Sequence, residues 1–424
     1  MSRIVSIESL SDEETKKISD DLLISQEPSK YAFGAKPNYI QLYEVEEDNL
    51  YIPFAYSRKY SRPGRSQFPQ TNIQFEGKLR PNQVKIQKEA IERLNSHGSV
   101  IIAANTGFGK SITSIYISNK IKLKTLILCH RVVLVNQWKN AIETFCPEAM
   151  VQIITPSTEK EDADFYIINA INVPKRSREF YTDIGFVIAD EVHLIMADKL
   201  SRCMRYLVPR YMLGLSATPY RTDGLDILLD MYFGKYKIVR KLYRKHFVYR
   251  YNTGFEPEVY LNRMGKVDWS SVLKSQCSNR ERNEIIIRIL QYFPDRVFLV
   301  LCKRVDQAKY LVQRLQEEKE DVTSLIGSNQ EFEQSSRILI GTVQKTGVGF
   351  DHPRLNSLIL ASDVEQYFVQ YLGRVFRKED TEPVIFDLVD SYPLLMKHFK
   401  TRNAVYVEHG GIVKDFQKEF PDFA

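Results

Sequence analysis

The sequence is poor in the features of cross-linked and membrane-embedded proteins. Its five cysteines are far apart, without the paired spacing that zinc knuckles, iron clusters and disulfide frameworks need. No apolar run approaches the roughly 18 residues of a membrane span, and the polar, acidic segment from Met1 to Asp21 lacks the pattern of a secretory signal. We therefore expect a soluble, intracellular protein, cytoplasmic or nuclear, with reduced cysteines and no membrane partner.

Excess charge is also scarce, except in one segment. The net charge is +6, and charged residues make up 26% of the 424 residues, as in ordinary globular proteins. From Lys235 to Arg250, however, seven lysines and arginines occur without a carboxylate, interleaved with aromatic residues. This composition fits a nucleic-acid track, in which cations neutralise phosphates and aromatic rings stack on bases. It fits equally well a pair of strands with a solvated face.

Apolar strands alternate with helical stretches over most of the chain, in two series. The first has strands at 99–102, 125–129, 151–154, 165–169, 185–189 and 211–215, and the second at 296–301, 322–326, 337–340, 357–360 and 383–388. Such alternation predicts an α/β fold with two parallel sheets, each flanked by helices. Residues 1–78 lack this rhythm and predict a small mixed or β-rich accessory domain. The expected domains are therefore 1–78, 79–250 and 251–424.

A phosphate-binding loop is predicted where the strand at 99–102 ends. The expected nucleotide-binding residues follow one another: Thr106, Gly107, Phe108, Gly109, Lys110 and Ser111. Glycines let backbone amides turn toward a phosphate chain, and the N-terminus of the next helix adds positive potential. Lys110 would neutralise the outer phosphates, and the Ser111 hydroxyl would bind Mg²⁺. The alternative is a glycine-rich turn with a solvated lysine.

An acidic pair follows the strand at 185–189. Asp190 and Glu191 would lie at the carboxyl edge of the sheet, where ligands of such folds bind. Asp190 is expected to bind Mg²⁺, and Glu191 to polarise the water that attacks the terminal phosphate. For an isolated pair, carboxylates that cap a helix N-terminus would be the simpler interpretation.

Three further segments follow apolar strands in a fixed order. They are Leu-Ser-Ala-Thr-Pro at 215–219, Thr-Val-Gln-Lys-Thr-Gly-Val-Gly-Phe-Asp at 342–351 and Gln-Tyr-Leu-Gly-Arg-Val-Phe-Arg at 370–377. Together with the phosphate loop and the acidic pair, they resemble the motifs of superfamily 2 helicases from about Leu79 to Asp390. The resemblance implies two RecA-like domains with ATP and Mg²⁺ as cofactors, the ATP lying between the domains.

The resemblance also assigns roles to individual residues. Gln83 would read adenine, Gly349 and Asp351 would lie near the ribose, and Arg374 and Arg377 would reach the nucleotide from the second domain, with Arg377 as the arginine finger. The expected catalytic residues are thus Lys110, Glu191, Arg374 and Arg377.

Nucleic-acid contacts are expected from other motifs. The segment 129–138 resembles the helicase motif that touches the nucleic-acid backbone, so that Arg131 and Gln137 are candidate contacts, together with Thr342 of a later motif. Trp138 is expected in the core, as tryptophan usually is. Ser216 and Thr218 resemble the motif that couples hydrolysis to domain closure.

Local differences indicate the subgroup. Asp190 to His193 reads Asp-Glu-Val-His and resembles DNA-directed helicases, while residues 220–224 are similar to a stretch of XPB-like DNA helicases, with Thr222 in place of a glutamate. Looser likeness extends to the poxvirus transcript-release and T4 UvsW types. We expect a 3′-to-5′ DNA helicase or translocase that acts on single-stranded, duplex or branched DNA in repair, recombination or transcription, alongside proteins of those pathways. The alternatives are an RNA-remodelling helicase, a binding scaffold without turnover, and a motor subunit of a larger transcription-termination or restriction assembly.

Overall fold

The structure, a computed structural model, describes residues 2–26, 38–60, 68–105, 107–196, 201–217, 225–241, 243–329, 331–347, 352–364, 368–376 and 381–423. The chain forms two compact units. The first unit runs to Arg240, and the second runs from Lys241 onward. Residues 105–107 group with the second unit. Each unit contains its own seven-stranded sheet.

The N-terminal segment is built of small antiparallel sheets. Its elements are β1 (Ser2–Ser6), α1 (Asp12–Asp21), β2 (Leu23–Gln26), β3 (Asn38–Gln41), β4 (Glu44–Glu46) and β5 (Asn49–Pro53). Strands β1, β5 and β4 form one sheet, and β2 pairs with β3 in another. The prediction of a small β-rich segment is confirmed.

This segment shares its core with the rest of the first unit. Ile52 and Phe54 of the β5 region belong to the same buried cluster as Phe233, near the C-terminal end of the unit. Arg178 adds an ion pair with Glu44 at 2.8 Å and lies 4.0 Å from the centre of the Tyr51 ring. The segment 1–78, expected as a separate domain, therefore packs as part of the first unit.

The first large sheet contains every strand expected before residue 240. Its strands are β6 (Ser99–Ala104), β7 (Thr125–Cys129), β8 (Val151–Ile154), β9 (Phe165–Asn169), β10 (Phe186–Ala189), β11 (Tyr211–Ser216) and β12 (Lys237–Arg240). Its helices are α2 (Pro81–His97), α3 (Lys110–Ile121), α4 (Val132–Phe145), α5 (Val192–Ile195) and α6 (Asp226–Phe233).

All neighbouring strands of this sheet are parallel, in the order β12-β6-β11-β10-β7-β9-β8. Strands β6, β7 and β10 are buried along their whole length, because both faces of a parallel sheet are covered. This explains their unbroken apolar sequences. The carboxyl ends of β6, β11, β10 and β7 consequently lie side by side at one edge, which carries the candidate site.

The second large sheet is also entirely parallel, in the order β15-β16-β14-β17-β18-β13-β19. Its strands are β13 (His246–Asn252), β14 (Phe298–Cys302), β15 (Val322–Leu325), β16 (Ile338–Thr342), β17 (Ser357–Leu360), β18 (Val384–Val389) and β19 (Gly411–Asp415). Its helices are α7 (Trp269–Ser278), α8 (Arg280–Tyr292), α9 (Val305–Glu317), α10 (Val343–Gly347), α11 (Phe368–Val375), α12 (Pro393–Glu408) and α13 (Phe416–Glu419). Two RecA-like domains are thus confirmed.

The basic segment from Lys235 to Arg250 is divided between the two sheets. It supplies the edge strand β12 of the first sheet and most of β13 in the second. Within the first unit Arg240 pairs with Glu89 at 2.7 Å, and within the second Lys241 pairs with Glu408 at 2.5 Å. These observations fit the strand alternative. The division between units follows Arg240, whereas the sequence analysis placed it at 250, inside β13.

Buried ion pairs stabilise the second unit. The Arg402 guanidinium on α12 donates to both carboxylate oxygens of Asp387 on β18, at 2.8 Å each, and to Asp363 at 2.6 Å. The side chains of Arg402 and Asp363 are each 2% exposed, and that of Asp387 is fully buried. Asp363 follows β17, so Arg402 connects α12 with the chain just after β17 as well as with β18.

Removing Arg402 should strongly destabilise this unit. Arg402→Ala leaves Asp363 and Asp387 without their buried counter-charge, a change that typically costs about 3 to 5 kcal/mol of unfolding free energy. Urea unfolding followed by circular dichroism measures the loss. Lys414→Ala is the matched control, since its exposed pair with Glu419 should contribute at most about 1 kcal/mol. Equal stability of the two variants would contradict the structural role of Arg402.

The cysteines lie in the interior of both units. All five cysteines are buried and free, so each packs as a small apolar side chain. Among the described helices, none combines the length and apolarity needed to cross a bilayer.

Candidate nucleotide site and its surroundings

The loop between β6 and α3 turns through two glycines in the left-handed conformation. The φ angle is +85° at Gly107 and +87° at Gly109, values that strongly favour glycine. Helix α3 begins at Lys110 with Gly109 as its N-cap, so the unpaired amides of the first turn lie next to the loop. The Lys110 ammonium donates a hydrogen bond to the Ala104 carbonyl at 2.8 Å, which keeps this cation at the loop.

Gln83 supports the loop from α2. Its side-chain amide nitrogen donates to the carbonyl oxygens of Phe108 and Gly109, at 3.2 and 3.3 Å, and its amide oxygen accepts the Arg80 backbone N–H at 2.8 Å. A Cβ atom at Gly109 would come within 2.4 Å of the Gln83 amide nitrogen, so this contact requires glycine at 109. The structure therefore shows Gln83 as a support of the loop, and its contact with adenine stays a prediction.

The acidic pair lies at the end of β10. The Asp190 backbone N–H donates to the Leu128 carbonyl at 3.0 Å, which continues the pairing of β10 with β7. Glu191 has φ of +47°, a strained conformation for a residue other than glycine and one that often occurs at functional sites. Within the described part of the chain, its buried Oε2 has no hydrogen-bond partner.

Burial and the neighbouring charge control the ionisation of Asp190. Desolvation, followed by repulsion from Glu191, raises the pKa of Asp190 to about 6, while the Lys110 charge acts in the opposite direction. The phosphate loop follows β6 and the acidic pair follows β10, and β11 lies between these two strands, so Lys110 and Asp190 belong to the same edge of the sheet.

Trp138 touches this site directly. Its side chain is buried, with the residue 2% exposed, so the expected core position is confirmed. The indole N–H donates to Asp190 Oδ2 at 2.9 Å, and Asp190 Oδ1 accepts the Glu191 backbone N–H at 3.0 Å. Sequence reasoning missed this contact, because the two residues are 52 positions apart and a core tryptophan gives no sign of its polar partner.

Histidines connect the acidic pair with the neighbouring strand ends. His193 Nδ1 and Ser216 Oγ are 2.8 Å apart and form a buried hydrogen bond, and Glu191 Oε2 lies 3.6 Å from the same nitrogen. At the end of β7, burial, with help from the charges of Arg131 and His193, lowers the pKa of His130 to about 4. His130 is therefore neutral at physiological pH. Ser216 therefore lies beside the acidic pair, and its role in coupling hydrolysis to domain closure stays a prediction.

The residues present fit a magnesium nucleotide. Glycines in the left-handed conformation let backbone amides turn toward a phosphate chain, and Lys110 supplies a positive charge at the loop. The Ser111 hydroxyl, in the first turn of α3, and the Asp190 carboxylate are oxygen donors of the kind that Mg²⁺ prefers. Each carboxylate oxygen of Asp190 accepts one hydrogen bond and keeps a lone pair for a metal or its water.

The candidate nucleic-acid contacts differ in exposure. Arg131 is the N-cap of α4 and Gln137 lies in its second turn, and both side chains are exposed. Thr342, at the carboxyl end of β16, is buried at 6% exposure, and its carbonyl accepts the Thr346 hydroxyl at 2.9 Å. The first two are thus exposed positions of the first unit, whereas Thr342 is a buried strand end of the second.

Other expected residues belong to the second unit or lie outside the described residues. Arg374 is on α11 and is 4% exposed. The residues that lie outside the described part of the chain are Thr106, Thr218, Gly349, Asp351 and Arg377.

Known proteins share the sequence that builds this site. Residues 76–221, which include the phosphate loop and the acidic pair, match the family model "Type III restriction enzyme, res subunit". The chain is 43% identical over 413 residues to "Putative helicase 161L" of Invertebrate iridescent virus 6, and the match covers 91% of this chain and 93% of that one. The chain belongs to the superfamily 2 helicases.

More distant relatives of this helicase widen the comparison. "Transcript termination protein A18" of Yaba-like disease virus is 25% identical over 353 residues, covering 70% of each chain. Among solved structures, S. cerevisiae Dbp5 bound to RNA and ADP BeF3 aligns with a TM-score of 0.56 and 14% identity, covering 81% of this chain and 96% of that chain. The structural likeness supports the fold of the helicase and nothing further.

Proposed function

We propose that this helicase hydrolyses ATP with Mg²⁺ and uses the energy for 3′-to-5′ movement on DNA or for remodelling DNA in transcription, repair or recombination. The observation that carries the nucleotide part is the left-handed glycine loop with Lys110 after β6, at the same edge of the sheet as Asp190 after β10. The link to transcription is supported by the Yaba-like disease virus relative, which is named a transcript termination protein.

In the proposed mechanism each residue of the first unit has one task. The loop amides and Lys110 bind the phosphates and stabilise charge that develops on the transferred group. Asp190 and Ser111 would hold Mg²⁺, which when bound would neutralise phosphate charge. Glu191 accepts a proton from the attacking water, a role that suits a carboxylate oxygen with no hydrogen-bond partner among the described residues.

The second unit would supply arginines. Arg374 and Arg377 are proposed to add positive charge at the nucleotide, with Arg377 as the finger, and Gly349 and Asp351 to lie near the ribose. Nucleotide binding that uses residues of both units would then shift the balance between two conformations and change the grip on a strand.

Arg131 should contribute one phosphate contact to DNA binding. Arg131→Ala is expected to weaken binding to all sequences similarly and to lower the slope of log affinity against log salt concentration by about one. Fluorescence anisotropy with a labelled oligonucleotide at several salt concentrations measures this slope. Lys139→Ala is the control, because it removes a cation of the same helix that pairs with Glu143. An unchanged slope in Arg131→Ala would remove Arg131 from the interface.

The proposed substrate is tested by an ATPase assay with different stimulators. The assay compares single-stranded DNA, duplex DNA, forked DNA and RNA, each at the same nucleic-acid concentration counted in nucleotide units. Stimulation by one of the DNA forms above that by RNA supports the proposal. Stronger stimulation by RNA would replace DNA with RNA as substrate, and hydrolysis that no nucleic acid changes would contradict a translocase.

A further inference from the structure

Helix α4 has one face toward the surface and one toward the nucleotide site. Arg131 and Gln137 are exposed, whereas Leu134, Val135 and Trp138 are buried. This spacing is that of an amphipathic helix whose apolar stripe packs on the sheet. The neighbouring positions 137 and 138 therefore belong to opposite environments, one exposed and the other inside the protein.

A side chain on the buried face of α4 makes a polar contact with the candidate metal ligand Asp190. The Trp138 indole N–H donates to Asp190 Oδ2 at 2.9 Å. The other oxygen, Oδ1, is held by the backbone of the adjacent residue Glu191. Trp138 is thus the side chain that fixes the rotation of the Asp190 carboxylate from a different element of the fold. A hydrogen bond to an ionised acceptor is among the stronger kinds and is directional.

The connection between the two faces is short and stiff. Arg131, the N-cap of α4, precedes Trp138 by seven positions, about 10 Å along the helix axis at 1.5 Å per residue. Packed helices move as rigid bodies, since close-packed interiors transmit displacement rather than absorb it. A shift of α4 on binding a strand would therefore move the indole donor relative to Asp190.

We propose that Trp138 is a positioning residue that couples nucleic-acid contacts on α4 to magnesium binding at Asp190. The inference rests on the proposed function, because it takes Arg131 and Gln137 as strand contacts and Asp190 as a metal ligand. Binding of a strand sets the indole donor, the donor orients the carboxylate, and the oriented carboxylate binds the metal nucleotide more tightly.

Such coupling must be reciprocal. If an oligonucleotide raises the affinity for the magnesium nucleotide by some factor, the nucleotide raises the affinity for the oligonucleotide by the same factor, commonly about 5- to 150-fold. Trp138→Phe keeps an aromatic ring and removes the N–H donor. We expect the coupling factor of this variant to be at least about fivefold smaller than that of the parent, or near one. The affinity for the oligonucleotide alone should stay unchanged.

The experiment measures binding rather than turnover. A fluorescent, non-hydrolysable ATP analogue is titrated into the full chain with and without single-stranded DNA, in Mg²⁺ and again in EDTA. Trp269→Phe, which changes the only other tryptophan, is the control and should behave as the parent. Because Trp138 acts through the metal ligand, the variant and the parent should differ in Mg²⁺ and agree in EDTA.

The outcomes separate the inference from the proposed function. A parent that binds neither DNA nor the analogue contradicts the function itself. A parent that binds both, with the same coupling factor in Trp138→Phe, overturns the inference alone, and so does a parent with no coupling. A difference that persists in EDTA also overturns it, since a general packing defect would then explain the result.

A second measurement does not depend on changing Trp138. In Trp269→Phe protein, Trp138 is the one remaining tryptophan, and its emission reports the surroundings of its own N–H. We expect oligonucleotide alone, and Mg²⁺ with the analogue alone, each to change this emission. Emission that responds to the magnesium nucleotide but not to DNA would overturn the coupling role.

Discussion

Glu191→Gln should lower the rate of ATP hydrolysis by about 10² to 10⁴, the usual contribution of a positioned general base. Glutamine has nearly the same shape as glutamate but accepts no proton from water. In the structure Glu191 Oε2 is buried, has no hydrogen-bond partner within the described part of the chain and belongs to a strained residue next to Asp190. ATP affinity should stay near that of the parent, because Lys110 and the glycine loop are unchanged.

Single-turnover hydrolysis and equilibrium binding of a fluorescent ATP analogue distinguish these two effects. Glu148→Gln is the matched control, since it makes the same chemical change at an exposed position of the same unit. Parent-level turnover in Glu191→Gln would mean that a different group activates the water.

Lys110→Ala should reduce hydrolysis by about 10² to 10³, as expected when one preorganised charge at a reacting group is removed. Unlike the change at Glu191, it should also weaken nucleotide binding, because Lys110 neutralises phosphates in the ground state as well as in the transition state. Nucleotide titration and steady-state kinetics together show whether affinity and turnover fall at once.

Lys120→Ala provides the comparison for Lys110→Ala. Lys120 lies on the same helix α3, and its side chain is exposed. It should leave binding and turnover unchanged. If the Lys110 variant binds and hydrolyses ATP like the Lys120 variant, the loop is a glycine-rich turn with a solvated lysine.

The elements best predicted from sequence are those with a purely local signal. Strand β7 was predicted with its observed bounds, Thr125–Cys129, because a strand buried on both faces reads as an unbroken apolar run. The glycine turn between β6 and α3 is predicted from sequence in the same way, since its glycines, lysine and serine lie within five consecutive positions. Both predictions needed only neighbouring residues and the periodicity of one element.

The basic segment shows where local signals are insufficient. Lys237 to Arg240 and His246 to Asn252 both mix apolar and polar residues in strand-like runs, yet they pair in different sheets. Such a run predicts a strand but does not select its neighbours. The division between the units was therefore placed inside β13 instead of after Arg240.

Polar contacts in the interior were not accessible to sequence reasoning at all. Arg402 and Asp363 form a buried pair across 39 positions, and Trp138 bonds to Asp190 across 52. The side chain of an arginine in a helix is ordinarily solvated, and that of a tryptophan ordinarily packs in the apolar core. Only the packing of helices on the sheet brings these donors to their carboxylates.

A crystal structure with Mg²⁺ and a non-hydrolysable ATP analogue tests the central claim most directly. The account predicts the outer phosphates against the amides of residues 107–111, the Lys110 ammonium within about 3 Å of a phosphate oxygen and the metal next to Ser111 and Asp190. A nucleotide bound away from this loop, with Lys110 still on the Ala104 carbonyl, would contradict it.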